Sequence, residues 1–146
     1  MVSAPRISGV LETCLYVDDL KRARAFYDRV FALPVMFGDE RLVVYDAGPA
    51  SALLLFKRGS TLHTVHLPGG AIPPHDGHGP LHFALAIPTE ALDAWRAHLA
   101  SENVPIESEV TWPRGGVSVY FRDPDGHLAE LGTPGLWKNY QAEAGT

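Results

Sequence analysis

Two stretches of this chain, offset by 70 residues, carry the same pattern, and that repetition constrains the fold more than any other feature. "LETCLYVDDL", from Leu11, is rich in Leu, Tyr and Val and reads as a strand. It runs into "KRARAFYDRVFAL", where Leu20, Ala23, Phe26 or Tyr27, and Val30 fall at helical spacing. Asp18 and Asp19 offer N-cap oxygens, so a helix is predicted from about Asp19 to Phe31, closed by Pro34. "LPVMFG", "LVVYDA" and "ASALLLF" follow as strands, the last two parted by a Gly-Pro turn. The second stretch repeats the order. "LHFALAI" is a strand, Pro88 and Thr89 start a helix, and Leu92, Trp95 and Leu99 form its apolar stripe. Asn103 and Pro105 end it. "PIESEVT", "GVSVYFRD" and "LAELG" supply three more strands, with "DPDG" as the turn between the last two.

Each half is therefore strand, helix, three strands. The offset lays Leu11 on Leu81 and Glu12 on His82, and it grows to 76 by the last strand, where Leu54 meets Glu130. One domain is expected over 1–146. Module one spans about 9–58, a Gly-, Pro- and His-rich linker about 59–79, and module two about 80–137. A tail over 138–146 continues an irregular or short helical extension that begins after Gly132.

Composition narrows the function classes. A chain of 146 residues can bury roughly two-thirds of its unfolded surface and needs no disulfide staples. The single cysteine, Cys14, excludes an intrachain disulfide and suits a reducing compartment. The net charge of −5, with no basic stripe, argues against nucleic acid. "MVSAPRISGV" has no signal-peptide core, and no run approaches the roughly 20 apolar residues of a membrane span. The expectation is a soluble, cytoplasmic protein with no membrane partner.

Side chains alternate across a strand. In "LHFALAI", Leu81, Phe83, Leu85 and Ile87 share a face that can pack on the helices. His82 shares the other with Ala84 and Ala86, as on a cavity wall. Glu12 lies with Cys14 and Tyr16, and Glu130 with Leu128. Singly, each has a plainer reading: Glu12 facing water, His82 a satisfied core histidine, Glu130 solvated after a turn. Together, two carboxylates and one imidazole supply three metal ligands and two negative charges. A divalent cation would neutralise them and leave positions open for substrate, whereas bare carboxylates on a cavity wall would be costly.

"LETCLYVDDLKRARAFYDRVFAL", "GPLHFALAI" and "VYFRDPDGHLAEL", in this order and spacing, resemble the vicinal oxygen chelate superfamily. That superfamily includes glyoxalase I, extradiol dioxygenases, fosfomycin-resistance enzymes and bleomycin-resistance proteins. The resemblance covers about Gly9 to Trp137. It implies an α+β fold of two tandem βαβββ modules forming a cupped half-barrel around a metal. Its ligand positions fall on Glu12, Leu54, His82 and Glu130. Many members have His or Gln where Glu12 stands. Four-ligand members such as glyoxalase I carry a carboxylate where Leu54 stands, so three protein ligands are implied here, which points away from glyoxalase I itself. The Gly usual after the first helix is Ala32. The resemblance also implies a homodimer, in which Glu12 can come from a different chain than His82 and Glu130.

The expected activity is Lewis-acid catalysis on a small substrate bound through adjacent oxygens, by a lyase, isomerase, thiol transferase or dioxygenase. The oxygen-rich shell suits Mn, Fe, Ni or Mg, with Zn still possible. Glu130, His75 and Tyr120 are the catalytic candidates, and Arg114 and Trp112, in "WPRGG", the substrate-binding ones. His75 and His78, in "PPHDGHG", form either a polar loop or a lid supplying a general acid or base. Tyr120 either donates to a bound oxygen or packs. His63 and His66, three apart, are a weaker candidate for a second metal site. Arg122, Asp123 and His127 read as turn chemistry, and Cys14 as a small buried residue. The alternative function is a metal-free, bleomycin-resistance-like protein that sequesters a drug or aromatic ligand.

Overall fold

A computed structural model describes residues 3–142. The elements run β1 (Glu12–Val17), α1 (Leu20–Val30), β2 (Val35–Gly38), β3 (Leu42–Asp46), β4 (Ala52–Lys57), β5 (Val65–Leu67) and β6 (Gly70–Ile72). Then come β7 (His82–Ala86), α2 (Leu92–Ser101), β8 (Ser108–Thr111), β9 (Val117–Arg122) and β10 (Leu128–Gly132). A single 3₁₀ turn, Thr89–Ala91, leads into α2.

The sequence repeat becomes a repeat of topology. One four-stranded sheet has the order β1-β4-β3-β2, and the other has β7-β10-β9-β8. In each, the first strand pairs parallel with the last, while the remaining pairs are antiparallel. This is the expected α+β fold of two βαβββ modules, with open rather than closed sheets. The registers match as well. Glu12 pairs with Ala52 and Cys14 with Leu54, just as His82 pairs with Leu128 and Ala84 with Glu130.

Helix α1 starts where the side chain of Asp19 accepts the Arg22 N–H at 3.0 Å. It buries Leu20, Ala23, Phe26, Tyr27 and Val30, at the spacing an amphipathic helix requires. Both helices end on a residue with a left-handed backbone, Ala32 at φ 52° and Asn103 at φ 57°. Asn tolerates that conformation, and Ala does so only at a cost.

One core joins the modules. Phe31 of module one packs on Phe83 and Phe121 of module two, with ring centroids 6.1 and 5.8 Å apart. Tyr27 stacks on Phe83 from the same side. Each large side chain so removed from water contributes roughly 1.5–3 kcal/mol. A polar staple crosses the same seam. His127 is fully buried, its Nε2–H donates to the Tyr16 carbonyl at 2.6 Å, and its Nδ1 accepts the Leu81 N–H at 2.8 Å.

The segment between the modules is more structured than a bare linker. It contains the β5–β6 hairpin, turned at Pro68-Gly69 and paired with neither large sheet. After β10 the chain folds back irregularly. Gly135 N–H bonds to the Tyr140 carbonyl at 2.7 Å, and the Tyr140 hydroxyl donates to the Ile87 and Gly132 carbonyls, each at 3.1 Å. No helix among the described residues is long and apolar enough to cross a membrane.

Candidate metal centre

Strand alternation positions the candidate donors. On β7, Phe83 is buried in the core with Ile87 just beyond the strand, while His82, Ala84 and Ala86 face away and are exposed. On β10, Ala129 and Leu131 enter the core, and Glu130 takes the opposite face. The register places Glu130 two residues beyond His82's partner on the adjacent strand. The two side chains therefore meet diagonally on one face, with His82 Nε2 3.1 Å from Glu130 Oε1. Half of the His82 side chain is open to solvent, but only 6% of Glu130's is.

The hydrogen-bond partners of this pair define what each atom can offer. His82 Nδ1 lies 2.9 Å from the Leu128 carbonyl oxygen. A carbonyl only accepts, so Nδ1 carries the hydrogen, and the neutral ring presents a bare lone pair at Nε2. Glu130 Oε2 already accepts from the Ser118 hydroxyl at 2.6 Å, and Ser118 Oγ in turn accepts from the indole N–H of Trp112 at 2.9 Å. Two acceptors thus face each other across 3.1 Å. They are reconciled by a proton on the imidazole, or by a cation bound to both. The surroundings fit a cation: a ligating imidazole characteristically donates its other N–H to a backbone carbonyl, and a ligating carboxylate is itself hydrogen-bonded.

Glu12 does not join them within one chain. Among the described residues no three His, Cys, Asp or Glu side chains converge. Glu12 instead lines a cavity of about 280 Å³ on the outer face of the first sheet, with Cys14, Arg41, Leu54, Phe56 and His75. By register, Glu12 and Leu54 hold in module one the places of His82 and Glu130 in module two. Leu54 is buried among Tyr16, Leu42 and Phe56. Where module two places the carboxylate of Glu130, module one places the apolar side chain of Leu54.

The sequence matches the description of the Glyoxalase/Bleomycin resistance protein/Dioxygenase superfamily over residues 9–131. The chain belongs to this superfamily. Among solved structures it resembles lactoylglutathione lyase from Agrobacterium tumefaciens, at 34% identity and a TM-score of 0.82, over 92% of this chain and 99% of that one. It shares its fold with the fosfomycin resistance protein FosX from Listeria monocytogenes, at 23% identity and a TM-score of 0.64, over 90% and 97% of the two chains. FosX from Mesorhizobium loti is similar at 20% identity and a TM-score of 0.61, over 90% and 96%.

The remaining candidates find varied places on this superfamily fold. Tyr120 pairs with Glu130 across β9 and β10, and its ring centroid lies 6.2 Å from that of His82. Trp112 is drawn into supporting Glu130 through Ser118, whereas Arg114 sits exposed in the turn between β8 and β9. His75 reaches the module-one cavity, where its Nδ1 lies 2.5 Å from the Tyr16 hydroxyl. His78 bonds only locally, to Gly79. His63 lines the same cavity as His75, while His66 lies on β5 and is exposed. Cys14 is exposed on the cavity face rather than buried. Partial shielding, and then the Glu12 charge, raise its thiol pKa above the ordinary value.

Asp123 does shape its turn, accepting the N–H groups of Asp125 and His127. His127, by contrast, spans the two modules, which its place in a polar turn sequence does not disclose. Ser118 and Thr61 escaped the sequence reading, which puts Tyr16 on the face of Glu12 without a role. Ser118 did carry a signal: it is the small polar residue on the face of β9 that also bears Tyr120.

Proposed function

We propose that this superfamily member is a divalent-metal-dependent enzyme of the lyase class, acting on a small substrate through adjacent oxygens. The observation that carries this reading is the pair of His82 Nε2 and Glu130 Oε1, 3.1 Å apart, each braced from behind and held so that a cation can bind both. Glu12 of the partner subunit supplies the third ligand in a homodimer, since Glu12 stands apart from the pair within one chain. Leu54 offers no donor, which leaves three protein ligands and open positions for substrate. Two carboxylates and one imidazole suit Mn, Fe, Ni, Zn or Mg. When bound, the metal polarises the substrate's oxygens as a Lewis acid.

The chain's own residues do the rest. The Leu128 carbonyl holds the His82 ring in the tautomer that aims a lone pair outward. Trp112 and Ser118 hold Glu130 so that Oε1 is the free oxygen. Tyr120, packed beside His82, presents a phenol that can donate to a bound oxygen. The lyase class is supported by the likeness to lactoylglutathione lyase at 34% identity, while Leu54, standing where glyoxalase I carries a carboxylate, sets this chain's own reaction apart from that of glyoxalase I; the fosfomycin resistance proteins lend the fold alone.

The test is metal content after chelator-free purification. About one equivalent per chain is expected in the wild type, with loss to under about a tenth in His82→Ala and Glu130→Ala while the folded spectrum is retained. A wild-type protein that stays metal-free when offered Mn(II), Fe(II), Ni(II) and Zn(II) would overturn the proposal. It would favour instead a protein that sequesters a drug or aromatic ligand in its apolar cavity.

A further inference from the structure

The module-one cavity contains a hydrogen-bond chain whose direction can be read atom by atom. Thr61 is 2% exposed, and its hydroxyl lies 2.5 Å from the His75 carbonyl oxygen. That oxygen has no proton, so Thr61 must donate to it. The Thr61 oxygen also lies 3.0 Å from the Tyr16 hydroxyl. Thr61 has already spent its hydrogen, so Tyr16 donates here. The phenol's only hydrogen is then committed, yet its oxygen also lies 2.5 Å from His75 Nδ1. That contact is a hydrogen bond only if Nδ1 bears the hydrogen. The sequence of donations is His75 Nδ1–H to Tyr16, Tyr16 O–H to Thr61, and Thr61 O–H to the His75 carbonyl.

The loop closes on itself, and its geometry is held from several sides. The His75 backbone N–H donates to the Thr61 carbonyl at 2.9 Å. The imidazole stands edge-on to Phe56, with centroids 5.2 Å apart, and edge-on to Tyr16. Tyr16 is itself buried, stacked on Phe56 at 5.6 Å. Gly77 approaches so closely that a Cβ there would lie 2.5 Å from the Tyr16 ring. An exposed loop histidine is thus tied into the wall of the cavity that Glu12 and Leu54 also line.

We infer that Tyr16 and Thr61 are positioning residues that lock His75 in its Nδ1–H form, leaving Nε2 as the proton acceptor of the module-one cavity. The catalytic part of this inference rests on the reading of the chain as an enzyme. Nε2 takes a proton from a substrate carbon or hydroxyl, and the electron pair of that bond stays on the substrate. The ring becomes an imidazolium whose Nδ1–H remains bonded to Tyr16, and it returns the proton from Nε2 to product. The substrate this selects is a small molecule that offers an acidic hydrogen to His75 Nε2 and has an apolar part to sit against Leu54 and Phe56.

The test uses long-range proton–nitrogen correlation spectra of the intact protein labelled with ¹⁵N-histidine, at a pH where the ring is neutral. His75 is identified by its loss in His75→Gln. The expected spectrum shows Nδ1 protonated and Nε2 bare. Tyr16→Phe removes the acceptor, and Thr61→Val frees the phenol hydrogen to turn toward Nδ1. Both are expected to shift His75 to the Nε2–H form, with metal content as in the wild type. A wild-type His75 already in the Nε2–H form would overturn the inference, as would a Tyr16→Phe protein that keeps Nδ1 protonated. Loss of metal in the wild type would sink the enzyme reading while leaving the tautomer result standing, so the two failures are distinguishable.

Discussion

The Tyr27 hydroxyl, on the helix of module one, donates a 2.7 Å hydrogen bond to Asp123, 96 residues further along in the last turn of module two. The same carboxylate gathers the N–H groups of Asp125 and His127. One side chain therefore shapes a turn and fastens it to a helix of the other module. Burial sets the energetics of both partners. It raises the Tyr27 pKa, with the Asp123 charge adding to the effect. It also raises the Asp123 pKa above the ordinary 3.8, outweighing the hydrogen bonds that pull it down.

A raised carboxyl pKa means that the folded state takes up its proton before the unfolded chain does. The contribution of Asp123 to stability therefore grows as pH falls from neutral through its folded pKa toward 3.8. Asp123→Asn removes that titration. Urea midpoints measured over a pH series should show the wild type gaining on the variant as the solution is acidified. Parallel curves would count against the assignment.

Ala32 adopts a left-handed backbone, φ 52°, at the end of α1. Glycine reaches that region without a Cβ penalty but loses more chain entropy on folding. Ala32→Gly is expected to stabilise by about 0.5–1 kcal/mol, read as a higher urea midpoint at unchanged m-value. Asn103→Gly, at the matching position after α2, should give a smaller gain because Asn already tolerates the conformation.

His127 fills the seam so closely that a Cβ on Gly79 would overlap its ring. Gly79→Ala should therefore cost about 1–3 kcal/mol by overpacking. Gly69→Ala, where nothing lies within 4 Å, is the control and should be near neutral. His127→Ala strands the Leu81 N–H and the Tyr16 carbonyl, and should cost about 2–4 kcal/mol. Equal midpoints for the two glycine variants would refute the packing argument.

Glu130 is aimed by Ser118, and Ser118 by Trp112. Removing such support behind a metal ligand, the role proposed for Glu130, typically costs about 10–100-fold in affinity. Ser118→Ala and Trp112→Phe should each weaken metal binding within that range, with Ser118→Ala the more severe. Competition with a chelator of known affinity would measure it. Wild-type affinity in Ser118→Ala would mean that Glu130 needs no aiming.

The proposed sharing of the site between subunits can be tested by complementation. Glu12→Ala and Glu130→Ala homodimers should each be metal-poor. After co-refolding of equal amounts, the heterodimers hold one intact site each, so about a quarter of wild-type metal should return. No recovery, in a mixture shown to exchange subunits, would place Glu12 and Glu130 in the same chain's site or in none.

Much of this was legible because strand alternation and the internal repeat act locally. "LHFALAI" alternates between Phe83 and His82 as a two-residue period demands, and the burial follows it. The offset between the halves found the correspondence of Glu12 with His82 and of Leu54 with Glu130, which the strand registers reproduce. What escaped depends on contacts between distant segments. The burial of His127 follows from β1 of one module lying over the turn of the other, which no window of sequence contains. The exposure of Cys14 depends on how far the β5–β6 hairpin covers the first sheet. The hairpin itself did leave a trace, in the "LPGG" turn, but strands of three residues are too short for periodicity to register.

That hairpin is hydrogen-bonded to neither large sheet, yet Val65 and Ile72 from it, with Pro73 just after, help to enclose the module-one cavity. Room for a differently sized guest can therefore be gained or lost in a short appendage. His82 and Glu130, on the parallel strands of the other module, would stay where they are. Because His75 follows shortly after that hairpin, any change in its length or pose also bears on the proton acceptor proposed in the cavity it encloses.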